Sequence, residues 1–244
     1  MAYYVPPHKR GGAASSVEGG AGSPPAAAGG GGHSAGPSTH FVCLKIDSEG
    51  PAASALFHLQ TRIIARCPAA RRDELQRAAD EASTRGRDLH ITLGGMLRLP
   101  DGNAIEKAMG CVQRAVLQLR QGPAWPASFQ LTRLKTFGRP DVHTLYASPG
   151  GSDRASTRLQ QLAAALDVEM HAAGLLHKPW RHKPRRHNSF ELHVTLFKVL
   201  HDAPRFSPDD FEPLFEALDV DVPITKITLV EKKETLPVVM EFAL

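Results

Sequence analysis

The sequence predicts an α+β fold built as a degenerate duplication of two similar lobes. Strand and helix signals alternate from Phe41 onward, and a helix runs between strands in each half. Each half also carries one strand of the pattern His-x-Thr-Leu, at residues 90–93 and 193–196. The 244 residues are enough to bury a substantial core, and 42% apolar and 22% charged content suits a soluble globular domain. A formal charge of +4 favours an anionic partner without identifying one. Cys43, Cys67 and Cys111 are odd in number and far apart, which argues against a disulfide framework or zinc knuckle and for a reducing compartment. No apolar run is long enough to span a bilayer and none forms a secretory leader, so cytoplasm or nucleus is expected.

Residues 1–39 read as a disordered low-complexity tail, since 15–37 is almost entirely Gly, Ala, Ser and Pro and buries too little apolar surface to offset ordering entropy. Residues 40–244 form the folded domain. A first strand is predicted over 41–46. Pro51 then opens a helix, its fixed φ and missing N–H suiting a first turn, with Leu56, Leu59, Ile63 and Ile64 on one face. Residues 68–88 are charged and read as a surface excursion with a short helix at 73–83. A strand over 89–97 and a helix over 104–119 follow. Strands 129–137 and 142–147 are joined by Gly138-Arg139-Pro140-Asp141, a good turn sequence. A helix over 154–173 carries Leu159, Leu162, Leu166 and Met170 on its apolar stripe. A strand at 191–200 follows the basic stretch 177–187. Ser207-Pro208-Asp209-Asp210 then combines an N-cap, a first-turn proline and a capping acid for a helix through 218. Strands 224–230 and 238–242 close the chain.

Side chains alternate across a strand, so residues i and i+2 share a face. In Leu89-His90-Ile91-Thr92-Leu93, His90 and Thr92 face one way while the aliphatic residues face the other; Leu192-His193-Val194-Thr195-Leu196 divides identically. Two such strands would offer two imidazoles and two hydroxyls to one polar cleft. Phosphoryl transfer needs those parts. A neutral imidazole removes a proton from the attacking oxygen and a protonated one supplies the leaving oxygen, and histidine holds both forms near neutral pH. Threonine hydroxyls can donate to the non-bridging phosphate oxygens. A lone His-x-Thr is usually structural. Here the only two such triplets share their flanking residues and fall in matching halves, so the pair reads as functional.

These twin motifs resemble those of the 2H phosphoesterase superfamily, the LigT-like and cyclic phosphodiesterase group, and within it the phosphoesterase-like domain of A-kinase anchoring proteins. The resemblance covers roughly residues 41–243. It implies a bilobal 2H phosphoesterase fold: two antiparallel sheets flanked by helices, a central cleft and pseudo-twofold symmetry. It implies that His90 and His193 are the acid and base, without saying which is which, and that Thr92 and Thr195 hold the phosphate. Phe190 matches an aromatic often found before the second motif, whereas Leu192 stands where proline is usual. Substrates implied are 2′-5′-linked oligonucleotides, 2′,3′-cyclic phosphate nucleotides or RNA ends, with no metal and no cofactor.

Further residues are open to two readings. Within 177–187, Trp180, Arg181 and Arg186 could rim the cleft and hold RNA, or belong to a solvated loop. Phe137 and Tyr146 could stack on a base or fill the core. His187-Asn188-Ser189 lacks the flanking aliphatics and reads as loop. Lys198, an odd number of residues from His193, should face away unless a bulge intervenes. The main expectation is a monomeric enzyme on a nucleotide or RNA substrate, not engaging a membrane; the competing one is a non-catalytic nucleotide- or RNA-binding module in a regulatory complex. Kinase anchoring is not expected, because no amphipathic helix is predicted after the final strand.

Overall fold

The alternation of Phe41-Val42-Cys43-Leu44 becomes β1 (His40–Lys45) in a computed structural model that describes residues 38–67, 69–84, 89–139, 142–150, 153–177, 191–200, 219–233 and 237–244. The expected tail as far as residue 37, most of the basic stretch and the helix expected from Ser207 lie outside these residues, whereas Thr39, expected in the tail, is hydrogen-bonded to Leu97 and Leu99. After β1 come α1 (Pro51–Arg66), α2 (Ala69–Thr84), β2 (His90–Leu97), α3 (Gly102–Arg120), β3 (Ser128–Leu131), β4 (Arg133–Arg139) and β5 (Val142–Ser148). They are followed by α4 (Arg154–Ala172), β6 (Val194–Leu200), β7 (Val220–Pro223), β8 (Lys226–Glu231) and β9 (Val238–Ala243).

Seven strands pair antiparallel in the order β4-β5-β6-β2-β1-β8-β9, and β3 with β7 forms a small second sheet. The large sheet has two arms, β4-β5-β6 and β2-β1-β8-β9, which meet where β2 pairs with β6 through Ile91 and Val194. These are the middle residues of the two His-x-Thr motifs, so a local twofold through that pair relates one motif to the other. The helices follow the same symmetry in exchange: α4 packs on β2, and α2 packs on β6. Each motif strand is therefore covered by a helix from the other half of the chain.

One face of the sheet carries the core. Leu89, Ile91, Leu93, Leu192, Val194 and Leu196 are all buried there with Leu56, Leu59 and Ile63 of α1, Val112 of α3 and Leu159, Leu162 and Leu166 of α4. A one-residue slip would move an aliphatic row into solvent at about 1.5–3 kcal/mol per large side chain, which pins the register and hence the face on which the histidines emerge.

Each motif strand bulges just past its threonine. In β2 the register slips between the pairs Val42–Leu93 and His40–Leu97; Gly94 adopts φ +80°, and Gly95 N–H donates to the buried Asp167 carboxylate of α4 at 2.5 Å. A Cβ on Gly94 would lie 3.0 Å from that same oxygen, so both the backbone sign and the space require glycine. In β6, Leu196 is the extra residue between the pairs Tyr146–Thr195 and Leu145–Phe197. Its carbonyl accepts from the buried Gln60 Nε2 of α1 at 2.7 Å. A helix side chain thus satisfies each bulge, where a buried unpartnered group would cost about 1–3 kcal/mol.

Five expectations need revision. Strand 129–137 is two strands broken at Thr132: Phe129 and Leu131 are buried against β7, whereas Leu134, an odd step on, is buried in the main sheet. The closing segment 224–230 likewise starts late, and β7 precedes it. The strand expected from 191 starts at Val194, and ahead of it the Glu191 carbonyl lies within hydrogen-bond distance of the His193 ring. Helix α2 is longer than 73–83, running over Ala69–Thr84, and buries Leu75. The helix expected over 104–119 starts earlier, at Gly102, where Asp101 caps it by accepting from Ala104 N–H at 2.8 Å. Cys43, Cys67 and Cys111 are buried and joined by no disulfide.

His40, buried at the start of β1 with Nδ1 2.8 Å from Thr39 Oγ1, has its pKa pushed below the ordinary value by burial, with Lys233 adding and Glu231 opposing. An imidazole whose folded pKa lies below its unfolded one binds more protons unfolded. Its contribution is therefore complete above about pH 6.5 and is lost as pH falls below that. Wild type should lose more unfolding free energy between pH 7.5 and 5.5 than His40→Asn, measured by urea denaturation at each pH.

Candidate active site

The Ile91–Val194 pair points into the core, and both residues are completely buried. The antiparallel count then sets His90 opposite Thr195 and Thr92 opposite His193, all four on the other face. Directly opposed residues of an antiparallel pair have Cβ atoms about 4.5–5.5 Å apart and diagonal ones about 7–8 Å, within reach of two imidazoles gripping one small group. His90, Thr92 and His193 are partly buried and Thr195 is exposed, so the four side chains are held by neighbours yet open to a ligand.

The neighbouring strands continue these rows. Across β1, Lys45 pairs with His90 and Cys43 with Thr92; across β5, Tyr146 pairs with Thr195, and Lys135 of β4 pairs with Tyr146. The Phe41 ring lies 5.2 Å from that of His90. His193 is packed by two rings, Tyr146 at 5.1 Å and Phe137 at 5.5 Å, both edge-on, and these two rings lie 5.1 Å from each other. Phe137 and Tyr146 are therefore beside the second motif; Tyr146 is buried, while Phe137 is 48% exposed and offers a face to a planar ligand.

His193 Nδ1 lies 3.0 Å from the Glu191 carbonyl. A carbonyl can only accept, so Nδ1 carries the proton in this bond, and Nε2 is the nitrogen left to exchange a proton with a ligand. Losing or gaining the Nε2 proton leaves the Nδ1 bond intact, so the ring keeps its orientation in either role. The Glu191 carboxylate in turn bridges Lys135 and Tyr146, whose hydroxyl donates to Oε2 at 3.1 Å. The Lys135–Glu191 pair is exposed and worth roughly 0–1 kcal/mol at most. Its effect is to fix the backbone at residue 191. Burial raises the Tyr146 pKa well above its ordinary value, and the nearby Glu191 charge and hydrogen bond add to this. Tyr146 stays a neutral phenol and does not compete with the imidazoles for protons.

Lys198 turns out to lie on the site face. The Leu196 bulge reverses the parity of β6, so that Leu196 and Phe197 are both buried while Lys198 pairs with Thr144, two residues from Tyr146, and is exposed. Sequence reasoning did not assign Phe41, Lys45, Lys135 or Glu191 to the site; only Glu191, two residues before His193, lay within sight of a motif. Trp180, Arg181, Arg186, Phe190 and the His187–Ser189 triplet lie outside the described residues.

The arrangement can hold a tetrahedral oxyanion between two imidazoles and two hydroxyls. Comparison with known proteins identifies the family and the fold. The family described as AKAP7 2'5' RNA ligase-like domain matches residues 38–227. Among solved structures, E. coli LigT complexed with 3′-AMP is similar with a TM-score of 0.56 and 16% identity, covering 85% of this chain and 98% of LigT. A structure described as a phosphoesterase gives a TM-score of 0.50 and 18% identity over 85% and 98% of the two chains. At these identities the likeness speaks for the fold. Among curated proteins no match was found.

Proposed function

The chain belongs to the AKAP7 2'5' RNA ligase-like domain family of the 2H phosphoesterase superfamily, and on that premise we propose that it is a metal-independent phosphodiesterase of RNA or nucleotides. The substrates are 2′-5′-linked oligonucleotides or 2′,3′-cyclic phosphate ends. The observation that carries this reading is the Ile91–Val194 seam, which sets both His-x-Thr pairs on one face around a local twofold. The ligand chemistry expected there is that of the 3′-AMP held by E. coli LigT.

In this mechanism one imidazole takes the proton of the attacking oxygen as the new P–O bond forms. The other, as imidazolium, gives its proton to the departing oxygen as the old P–O bond breaks. For a 2′-5′ linkage the attacker is the adjacent 3′-hydroxyl or water, and for a cyclic phosphate it is water. Thr92 and Thr195 donate to the non-bridging oxygens and offset the charge that grows there. Opening a 2′,3′-cyclic phosphate with a 5′-hydroxyl is the reverse of cleaving a 2′-5′ bond. A family named for ligation and an enzyme that cleaves can therefore share one acid–base pair.

The test is incubation of purified protein with 2′-5′ oligoadenylate and with 2′,3′-cyclic AMP in excess EDTA. Turnover of at least one substrate, with a bell-shaped pH–rate profile, is expected. Saturable binding without cleavage would replace the enzyme with a binding module.

A further inference from the structure

Three strands converge on the residue that holds the His193 ring. Glu191, just ahead of β6, is engaged at both ends. Its carbonyl accepts from His193 Nδ1, and its carboxylate accepts from Lys135 Nζ on one oxygen and from the Tyr146 hydroxyl on the other. Lys135 of β4 and Tyr146 of β5 are directly paired, and Tyr146 in turn is paired with Thr195 and packs edge-on with His193. A closed circuit therefore runs from the imidazole through the 191 carbonyl and carboxylate to Tyr146, and back to the imidazole. Burial of Leu192 fixes the depth of this segment, but the peptide plane between 191 and 192 can still turn about its flanking dihedrals, and ladder pairing begins only at Val194. The carboxylate anchor sets the direction of that carbonyl. The Lys135 and Glu191 side chains are 41% and 45% exposed, so their ion pair adds little to stability; what it restrains is the geometry beside the ring. The tautomer depends on that geometry. An imidazole without an acceptor at Nδ1 is free to carry its proton on Nε2, and a neutral ring in that form cannot take a proton at the nitrogen left for the phosphate.

We infer that Lys135 and Tyr146 are positioning residues for the reaction: through the Glu191 carboxylate they hold the Glu191 carbonyl on His193 Nδ1, so that neutral His193 keeps its proton on Nδ1 and offers a bare Nε2 to the substrate. The catalytic consequence rests on the proposed function, whereas the tautomer does not. Neither side chain needs to touch the substrate for this. Their effect is on how often the ring is in the form and orientation that can exchange a proton, and so falls on turnover and not on binding.

The test joins imidazole NMR of nitrogen-15-labelled protein, on the alkaline side of the histidine range, with steady-state kinetics on a 2′-5′ adenylate dimer. The His193 signals are assigned by their loss in His193→Ala. Wild type should show the Nδ1–H tautomer at His193. Glu191→Ala, and the double variant Lys135→Gln with Tyr146→Phe, should shift the ring toward Nε2–H and lower kcat about tenfold, with KM changed by no more than about twofold because Thr92 and Thr195 still hold the phosphate. Glu191→Gln is the conservative variant: it keeps the length, its oxygen accepts from Lys135 and its amide donates to the Tyr146 oxygen. It should retain the wild-type tautomer and most of kcat. Urea unfolding midpoints close to wild type should accompany all of these. A wild-type tautomer and kcat in both Glu191→Ala and the double variant overturn the inference, and so does a tautomer shift that leaves kcat unchanged. Glu191→Gln as damaging as Glu191→Ala overturns it as well, since charge and not the anchor would then be the cause. Absence of cleavage by wild type overturns the proposed function instead, and the tautomer comparison still decides whether the anchor holds His193.

Discussion

His90→Ala and His193→Ala each lose about 10²–10⁴-fold in kcat on a 2′-5′ dinucleotide while the folded protein persists. General acid or base catalysis by one positioned side chain accounts for that range, equivalent to roughly 2.7–5.5 kcal/mol of barrier. Neither ring contributes to the main core: His90 leans on Phe41 and His193 on Phe137 and Tyr146, on the face opposite Ile91 and Val194. Truncation there should change unfolding free energy by no more than about 1 kcal/mol. The double variant should be little worse than either single one, because an acid without its base, or a base without its acid, is already disabled. The bell-shaped pH–rate curve should collapse to one limb in each single variant. Steady-state kinetics over pH 5–9 with a urea melt of each protein checks all of this; full activity in either variant removes the assigned roles.

Thr92→Val and Thr195→Val come next in size, at on the order of ten- to a thousandfold in kcat. Valine keeps the branched shape that suits a strand and removes only the hydroxyl, so the loss reports the hydrogen bond to phosphate and not packing. The two sites differ in setting. Thr92 is partly buried opposite Cys43, whereas Thr195 is exposed opposite Tyr146. A hydroxyl already held in place loses more when removed, so Thr92→Val should be the more damaging. Serine at either position should restore most of the activity. If valine raises KM alone and leaves kcat intact, the hydroxyls bind the ground state and the transition-state role fails.

The two motif strands and the face each presents were legible because period-two alternation is local: Leu89, Ile91 and Leu93 against His90 and Thr92 needs no partner to interpret. The twofold relation was legible from repetition of the same five-residue pattern. What stayed hidden depends on register between distant strands. No property of Lys45 marks it as the neighbour of His90, and Lys135 reaches Glu191 only because β4 and β5 pair as they do. Bulges defeat simple counting, and Lys198 shows this: the only trace of its reversal is the adjacent apolar pair Leu196-Phe197. The break at Thr132 left a similar trace, the odd interval between Leu131 and Leu134. Strand β7 is four residues long, too short for a pattern, and is defined by its pairing with β3.

The central claim is that two imidazoles distant in sequence serve one phosphorus atom. A crystal structure of the protein with a nucleoside 2′- or 3′-monophosphate tests this most directly. The expected result is a single phosphate whose oxygens lie within roughly 2.6–3.2 Å of a ring nitrogen of both His90 and His193. A phosphate held by one histidine while the other ring turns elsewhere would contradict it.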